Sequence, residues 1–82
     1  MLTIEYKDEF LKRIAKIKDA SLKEKVKKHV QKIADNPEIG KPMRYSRKGT
    51  REVYTPPFRL AYAYLPATNK IIFLDLYHKD EQ

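Results

Sequence analysis

The stretch FRLAYAYL, residues 58–65, constrains the fold more than any other part of the chain. Phe58, Leu60, Tyr62 and Tyr64 alternate with Arg59, Ala61, Ala63 and Leu65, and a period of two predicts a β-strand. Pro56-Pro57 precedes it and Pro66-Ala-Thr-Asn69 follows it, and beyond each break lies another strand pattern. TREVYT (residues 50–55) sets Arg51, Val53 and Thr55 against Glu52 and Tyr54. KIIFLDLYHK (residues 70–79) is the most apolar run and is expected to be central, as is residues 58–65. Connections this short join antiparallel neighbours, so the three strands form a meander.

Arg59 is the anomaly in this pattern. It opens its strand on a face otherwise carried by two alanines and a leucine. A guanidinium is always charged and presents several donors in a planar fork, so it needs an anion. One reading is a structural ion pair with a nearby carboxylate. The other is a phosphate site.

Ahead of the meander, Leu2, Ile4 and Tyr6 alternate with Thr3 and Glu5, a short first strand. Asp8 is the expected N-cap of a helix over residues 9–18, whose apolar stripe is Phe10, Leu11, Ile14 and Ile17. Ser21 and Glu24 form a capping box that predicts the start of a second helix with Leu22, Val26, Val30, Ile33 and Ala34 on its apolar face. Asn36-Pro37 ends it, because a residue before proline is steered out of the helical region. The expected fold class is α+β, one domain over residues 1–82. An antiparallel helical hairpin packs on one face of a four-stranded sheet, and the other face stays open and concave.

A chain of 82 residues buries only roughly 60% of its unfolded surface, so its stability is marginal. It has no cysteine, which excludes a disulfide framework and a cysteine-based zinc site. No apolar run approaches the ~20 residues that cross a bilayer. The first ten residues, MLTIEYKDEF, lack the basic start of a signal peptide, so a cytoplasmic protein is expected. Lysine and arginine number 18 against 11 acidic residues, a net charge of +7 that suits a polyanionic partner. Lys23, Lys25, Lys27, Lys28 and Lys32 line the second helix as a solvated face or an RNA-backbone surface. His29 beside them is a flanking residue, without a second histidine or carboxylate at metal-ligand spacing. In the proline- and glycine-interrupted segment 36–49, Lys41, Arg44, Arg47 and Lys48 surround Tyr45. Interleaved charge and aromatic rings suit single-stranded nucleic acid, and an ordinary exposed loop is the alternative.

Four segments in this order resemble the RelE/ParE toxin superfamily: YKDEFLKRIAKI (residues 6–17), NPEIGKPMR (36–44), REVYTPPFRLAYAY (51–64) and YHKDE (77–81). The resemblance covers nearly the whole chain. It implies a RelE-like fold and a ribosome-dependent endoribonuclease that cuts translated mRNA with neither metal nor other cofactor. It also implies a separate acidic RelB-like antitoxin chain, and it allows a toxin–antitoxin heterotetramer. Arg59 falls on the family's hairpin arginine, which stabilises the phosphate in the transition state. Lys79 falls on the basic residue near the C-terminus, and Arg51 and Glu52 lie near the family's second-strand residues. Three departures stand out. The family's final tyrosine has no counterpart before Gln82, lysine replaces the usual arginine at position 79, and Pro56-Pro57 replaces a glycine turn.

Metal-free cleavage needs a base for the 2′-hydroxyl, an acid for the leaving oxygen, and cations around the phosphorane. Arg59 supplies the cation and ranks first; Lys79, a base if neighbouring positive charge depresses its pKa, ranks second, Arg51 third, and His78, a base that needs no such tuning, fourth. Glu52 is a further candidate base. Strand parity sets His78 and Lys79 on opposite faces. Two rival readings share the fold: a ParE-like gyrase poison, and a degenerate toxin that only binds RNA or antitoxin.

Overall fold

The three alternating runs pair as an antiparallel meander in the computed structural model of the chain, which describes residues 2–42 and 49–78. They are β3 (Thr50–Thr55), β4 (Phe58–Leu65) and β5 (Lys70–His78). Before them come β1 (Thr3–Tyr6), α1 (Asp8–Ala15), α2 (Ala20–Asp35) and the two-residue β2 (Lys41–Pro42). The sheet order is β1-β5-β4-β3-β2, five strands where the pattern predicts four. The extra strand pairs Lys41 with Glu52 and Pro42 with Arg51. Proline donates nothing to a ladder and so disguises a strand in the sequence, yet an outermost strand needs only one bonded side. β4 is the middle strand, as expected. β5 lies between β4 and β1, pairing in parallel with β1 from Thr3↔Lys70 to Tyr6↔Phe73.

Both helices cover one face of the sheet. Phe10, Ile17, Val26 and Ile33 meet Leu60, Tyr62, Ile71, Phe73 and Leu76 in the core. The rings of Phe10 and Phe73 stack with centroids 5.3 Å apart, and Tyr6 lies on Phe73 at 5.4 Å. Each fully buried large apolar side chain contributes about 1.5–3 kcal/mol of transfer free energy.

Both helix starts differ from expectation. Lys7 occupies the N-cap position of α1, and Asp8 sits in the first turn, where its charge faces the positive end of the helix dipole. The helix stops at Ala15 rather than residue 18. Asp19, not Ser21, caps α2: its Oδ1 accepts from the backbone N–H of Ser21 (2.9 Å) and Leu22 (3.2 Å). A carboxylate wins this competition because its hydrogen bonds are charge-assisted. α2 ends at Asp35, where Asn36-Pro37 dictates.

The chain leaving α2 is held against the sheet by Tyr62. Its buried hydroxyl donates to the Pro37 carbonyl (2.8 Å) and accepts from the Gly40 N–H (2.9 Å). Only glycine fits at position 40, since a Cβ there would lie 2.5 Å from that hydroxyl. Burial pushes the Tyr62 hydroxyl pKa above its ordinary 10.0. The unfolded chain therefore ionises first, so stability is retained below about pH 10 and falls as pH rises further. Tyr62→Phe leaves the Gly40 N–H unpaired, at a cost of about 1–3 kcal/mol. Thermal melts from about pH 8 to about 11 should show a lower melting temperature for the variant and a shallower alkaline decline than in the wild type. Equal alkaline slopes would contradict the role given to this hydroxyl.

Candidate active site on the open sheet face

Alternation along β3 and β4 sends Glu52, Tyr54, Arg59 and Ala61 to the face away from the helices, because Val53, Leu60 and Tyr62 pack into the core. Register aligns three of these strands' residues in one row: Tyr54 opposite Arg59, and Arg59 opposite Tyr77. Glu52 lies in the neighbouring row, opposite Ala61.

Three side chains close a chain of polar contacts across this surface. Arg59 Nη1 donates to Glu52 Oε1 at 2.6 Å, and the Tyr77 hydroxyl donates to Glu52 Oε2. The Arg59 Cζ lies 5.8 Å from the centre of the Tyr54 ring. Ala61 is only 5% exposed although no helix covers its face, because Tyr77 and Glu52 reach toward each other across it. A small residue between the two strands is what lets them meet.

The carboxylate reading of Arg59 is thus realised in the free protein, but the pair is single-pronged. Glu52 accepts from one guanidinium nitrogen and gives its other oxygen to Tyr77. Arg59 Nε is buried without an acceptor. Arginine that serves only to neutralise a carboxylate commonly engages it with two parallel bonds. Here only one nitrogen of the fork meets the carboxylate.

The other residues singled out in the sequence divide cleanly. Lys41 is exposed on β2 opposite Glu52, so it joins the open face. Arg51 does not. It pairs with Tyr62 on the helix side, where its Nη1 donates to the carbonyls of Glu38 (3.0 Å) and Gly40 (2.8 Å). The expectation that it assists Arg59 is corrected: adjacent strand positions face opposite ways, and Glu52 takes the open side. His78 is likewise on the other face, opposite Phe58, whose ring it meets edge-on at 6.0 Å. His29 Nδ1 lies 3.0 Å from the Lys25 carbonyl on its own helix. Arg44, Tyr45, Arg47, Lys48 and Lys79 fall outside the described residues. Among the described residues, no three histidine, aspartate or glutamate side chains converge as metal ligands.

A family model described as the ParE toxin of the type II toxin–antitoxin system parDE matches residues 4–82. The chain belongs to the ParE toxin family. No curated protein matches it significantly. The toxin's fold recurs in solved structures. The E. coli RelBE toxin–antitoxin complex superposes with a TM-score of 0.78 at 14% identity, covering 95% of this chain and 96% of that one. The RelBE2 complex of Mycobacterium tuberculosis gives 0.80 at 19% identity, over 95% and 98%. A metal-bound toxin from Helicobacter pylori gives 0.72 at 27% identity, over 99% and 98%. The expected RelE-like fold is therefore found.

A cavity of about 370 Å³ lies on the helix side of this toxin, among Arg13, Ile17, Leu22, Phe58 and Leu76. Arg59 does not line this cavity. Two residues of the candidate site, Tyr54 and Tyr77, escape the sequence reading. Tyr54 was visible by parity with Glu52. Tyr77 was not, because β5 changes register between the positions opposite Ala61 and Tyr62. Unbroken alternation would place Tyr77 with Ile71 and Phe73 in the core. The available signal was Asp75, a carboxylate that unbroken alternation would also bury. A double-mutant cycle of Glu52→Gln and Tyr77→Phe, read by denaturant unfolding, should give a coupling energy of about 0.5–3 kcal/mol. Additive effects would mean that the two side chains are not linked.

Proposed function

We propose that this toxin is a ribosome-dependent endoribonuclease that cuts translated mRNA. The observation that carries this reading is the single-pronged Arg59–Glu52 pair on an open, helix-free face: a cation whose Nε has no acceptor, beside a carboxylate. In the reaction, Glu52 accepts the proton of a 2′-hydroxyl, whose oxygen attacks the adjacent phosphorus. The bond from phosphorus to the 5′-oxygen breaks, leaving a 2′,3′-cyclic phosphate, and the leaving oxygen takes up a proton. Arg59 stabilises the phosphorane charge. Tyr77 holds Glu52 in place. Lys79, which the family resemblance places on a basic residue near the C-terminus, is assigned here as the acid. No step requires a metal, and a purely structural Arg59 is the reading to beat.

The mRNA is presented by the ribosome, and the basic residues Lys41, Arg44, Arg47 and Lys48 supply affinity, with Tyr45 among them. A separate acidic RelB-like antitoxin is the partner in a heterotetramer. The charge of +7 supports this, as does the solved E. coli RelE variant in complex with an antitoxin RelB peptide. The protein acts in the cytoplasm. No helix among the described residues is long and apolar enough to cross a membrane. A second reading, inhibition of gyrase, is favoured by the ParE description of the matching family.

Arg59→Ala should fold and lose cleavage by about 10²–10³-fold, the usual cost of one transition-state charge contact. Primer extension on a message translated in a purified system, in the presence of a chelator, measures this directly. Wild-type cutting by the variant would discard the assignment, and inhibition of gyrase supercoiling without mRNA cuts would favour the second reading.

Neutralising Lys41, Arg44, Arg47 and Lys48 together should flatten the salt dependence of RNA binding by about 0.7 of a slope unit per lost contact. An unchanged slope in filter-binding titrations would remove these residues from the interface.

A further inference from the structure

The row Tyr54–Arg59–Tyr77 holds two tyrosines with different occupations. Tyr77 is committed to Glu52. Tyr54 is 48% exposed in the interior of a strand, and the described structure gives its ring one partner, the Arg59 guanidinium. Single exposed aromatics are ordinary on protein surfaces and by themselves mean nothing. Here position adds information. The ring stands beside Arg59, whose Nε has no acceptor, and 5.8 Å separates the guanidinium carbon from the ring centre. One sugar separates a phosphate from its own base, a comparable span. Lys41 flanks the same face on β2.

We propose that Tyr54 is a nucleobase platform, on which the base of the nucleotide engaged by Arg59 stacks. The choice of a nucleic-acid ligand rests on the ribonuclease reading above. Every base has a π-face, so such a platform favours single strands over duplexes and discriminates weakly among bases. The toxin therefore makes its own contact with an unpaired base, on the same face as its phosphate-binding arginine.

The test uses a fluorescently labelled 2′-O-methyl RNA of about six nucleotides, which lacks the attacking hydroxyl and stays intact. Its competitor is an abasic strand with the same number of phosphates. Stacking of ~1–3 kcal/mol per base, at 1.4 kcal/mol per decade, corresponds to about 5- to 140-fold tighter binding of the base-bearing strand. Tyr54→Phe should retain this ratio and Tyr54→Leu should bring it toward one. In the wild-type protein, the Tyr54 ring protons should move upfield in NMR spectra with the base-bearing strand and stay put with the abasic one. A wild-type ratio near one, a ratio unchanged in Tyr54→Leu, or ring signals indifferent to the base would each overturn the platform. The two readings separate cleanly. A toxin that cuts mRNA but shows no base-dependent binding loses the platform alone. One that shows the ratio but cuts nothing loses the cleavage assignment alone.

Discussion

A single irregularity in β5 decides which side chains of this toxin meet the helices and which meet solvent. Ala61 pairs with Asp75 and Tyr62 with Phe73, so Leu74 has no residue opposite it on β4. Before that point Ile71 and Phe73 enter the core, and after it Leu76 does. An extra residue of this kind shifts the parity of everything that follows. Its physical origin lies in Asp75. Regular alternation would force that carboxylate into the core, where an unpaired charge is costly. With the register shifted, Asp75 Oδ1 accepts from the Leu76 N–H at 2.7 Å and lies 3.7 Å from Arg13 Nε. Tyr77 is carried to the opposite face as a consequence, and without it Glu52 would face Arg59 alone.

The two faces of the β3–β4 hairpin then divide the work. On the helix side, Arg51 and Tyr62 bond to the carbonyls of Pro37, Glu38 and Gly40, tying the exit from α2 to the sheet. That tether is what lets Lys41 and Pro42 lie along β3 as an edge strand. On the open side, Glu52, Arg59 and Tyr77 form the polar link. The two sets interleave residue by residue: Arg51 and Glu52 are neighbours in sequence and serve opposite surfaces. A cation at position 51 looks catalytic in a list of charges and is structural once its direction is known.

Charge is distributed with similar economy. The chain's excess of +7 favours anionic partners at long range but does not locate a site. Locating it depends on one carboxylate that engages the arginine incompletely. A fully satisfied pair would be a strut between β3 and β4. An absent one would leave a repulsive cluster and no candidate base.

Much of the fold was legible in the residues. Period-two runs with short proline-rich breaks specify a meander because a strand exposes alternate side chains and a short loop reverses direction. Apolar residues three and four apart specify helices for the corresponding geometric reason. Arg59 stood out because it interrupts a pattern, and Glu52 because it shares a strand with it. The pairing of β1 with β5, the two-residue β2, the Asp19 cap and the shift in β5 are products of tertiary contact. Each depends on which competing partner a group finds in space: Pro42 on an available edge, Asp19 on the first free N–H groups of α2, Asp75 on a carboxylate's need to avoid the core. Local sequence states the options, but the choice among them is made by packing and by the cost of leaving a polar group without a partner. The contact between Tyr77 and Glu52 was settled at that level, and so was the separation of Arg51 from Arg59.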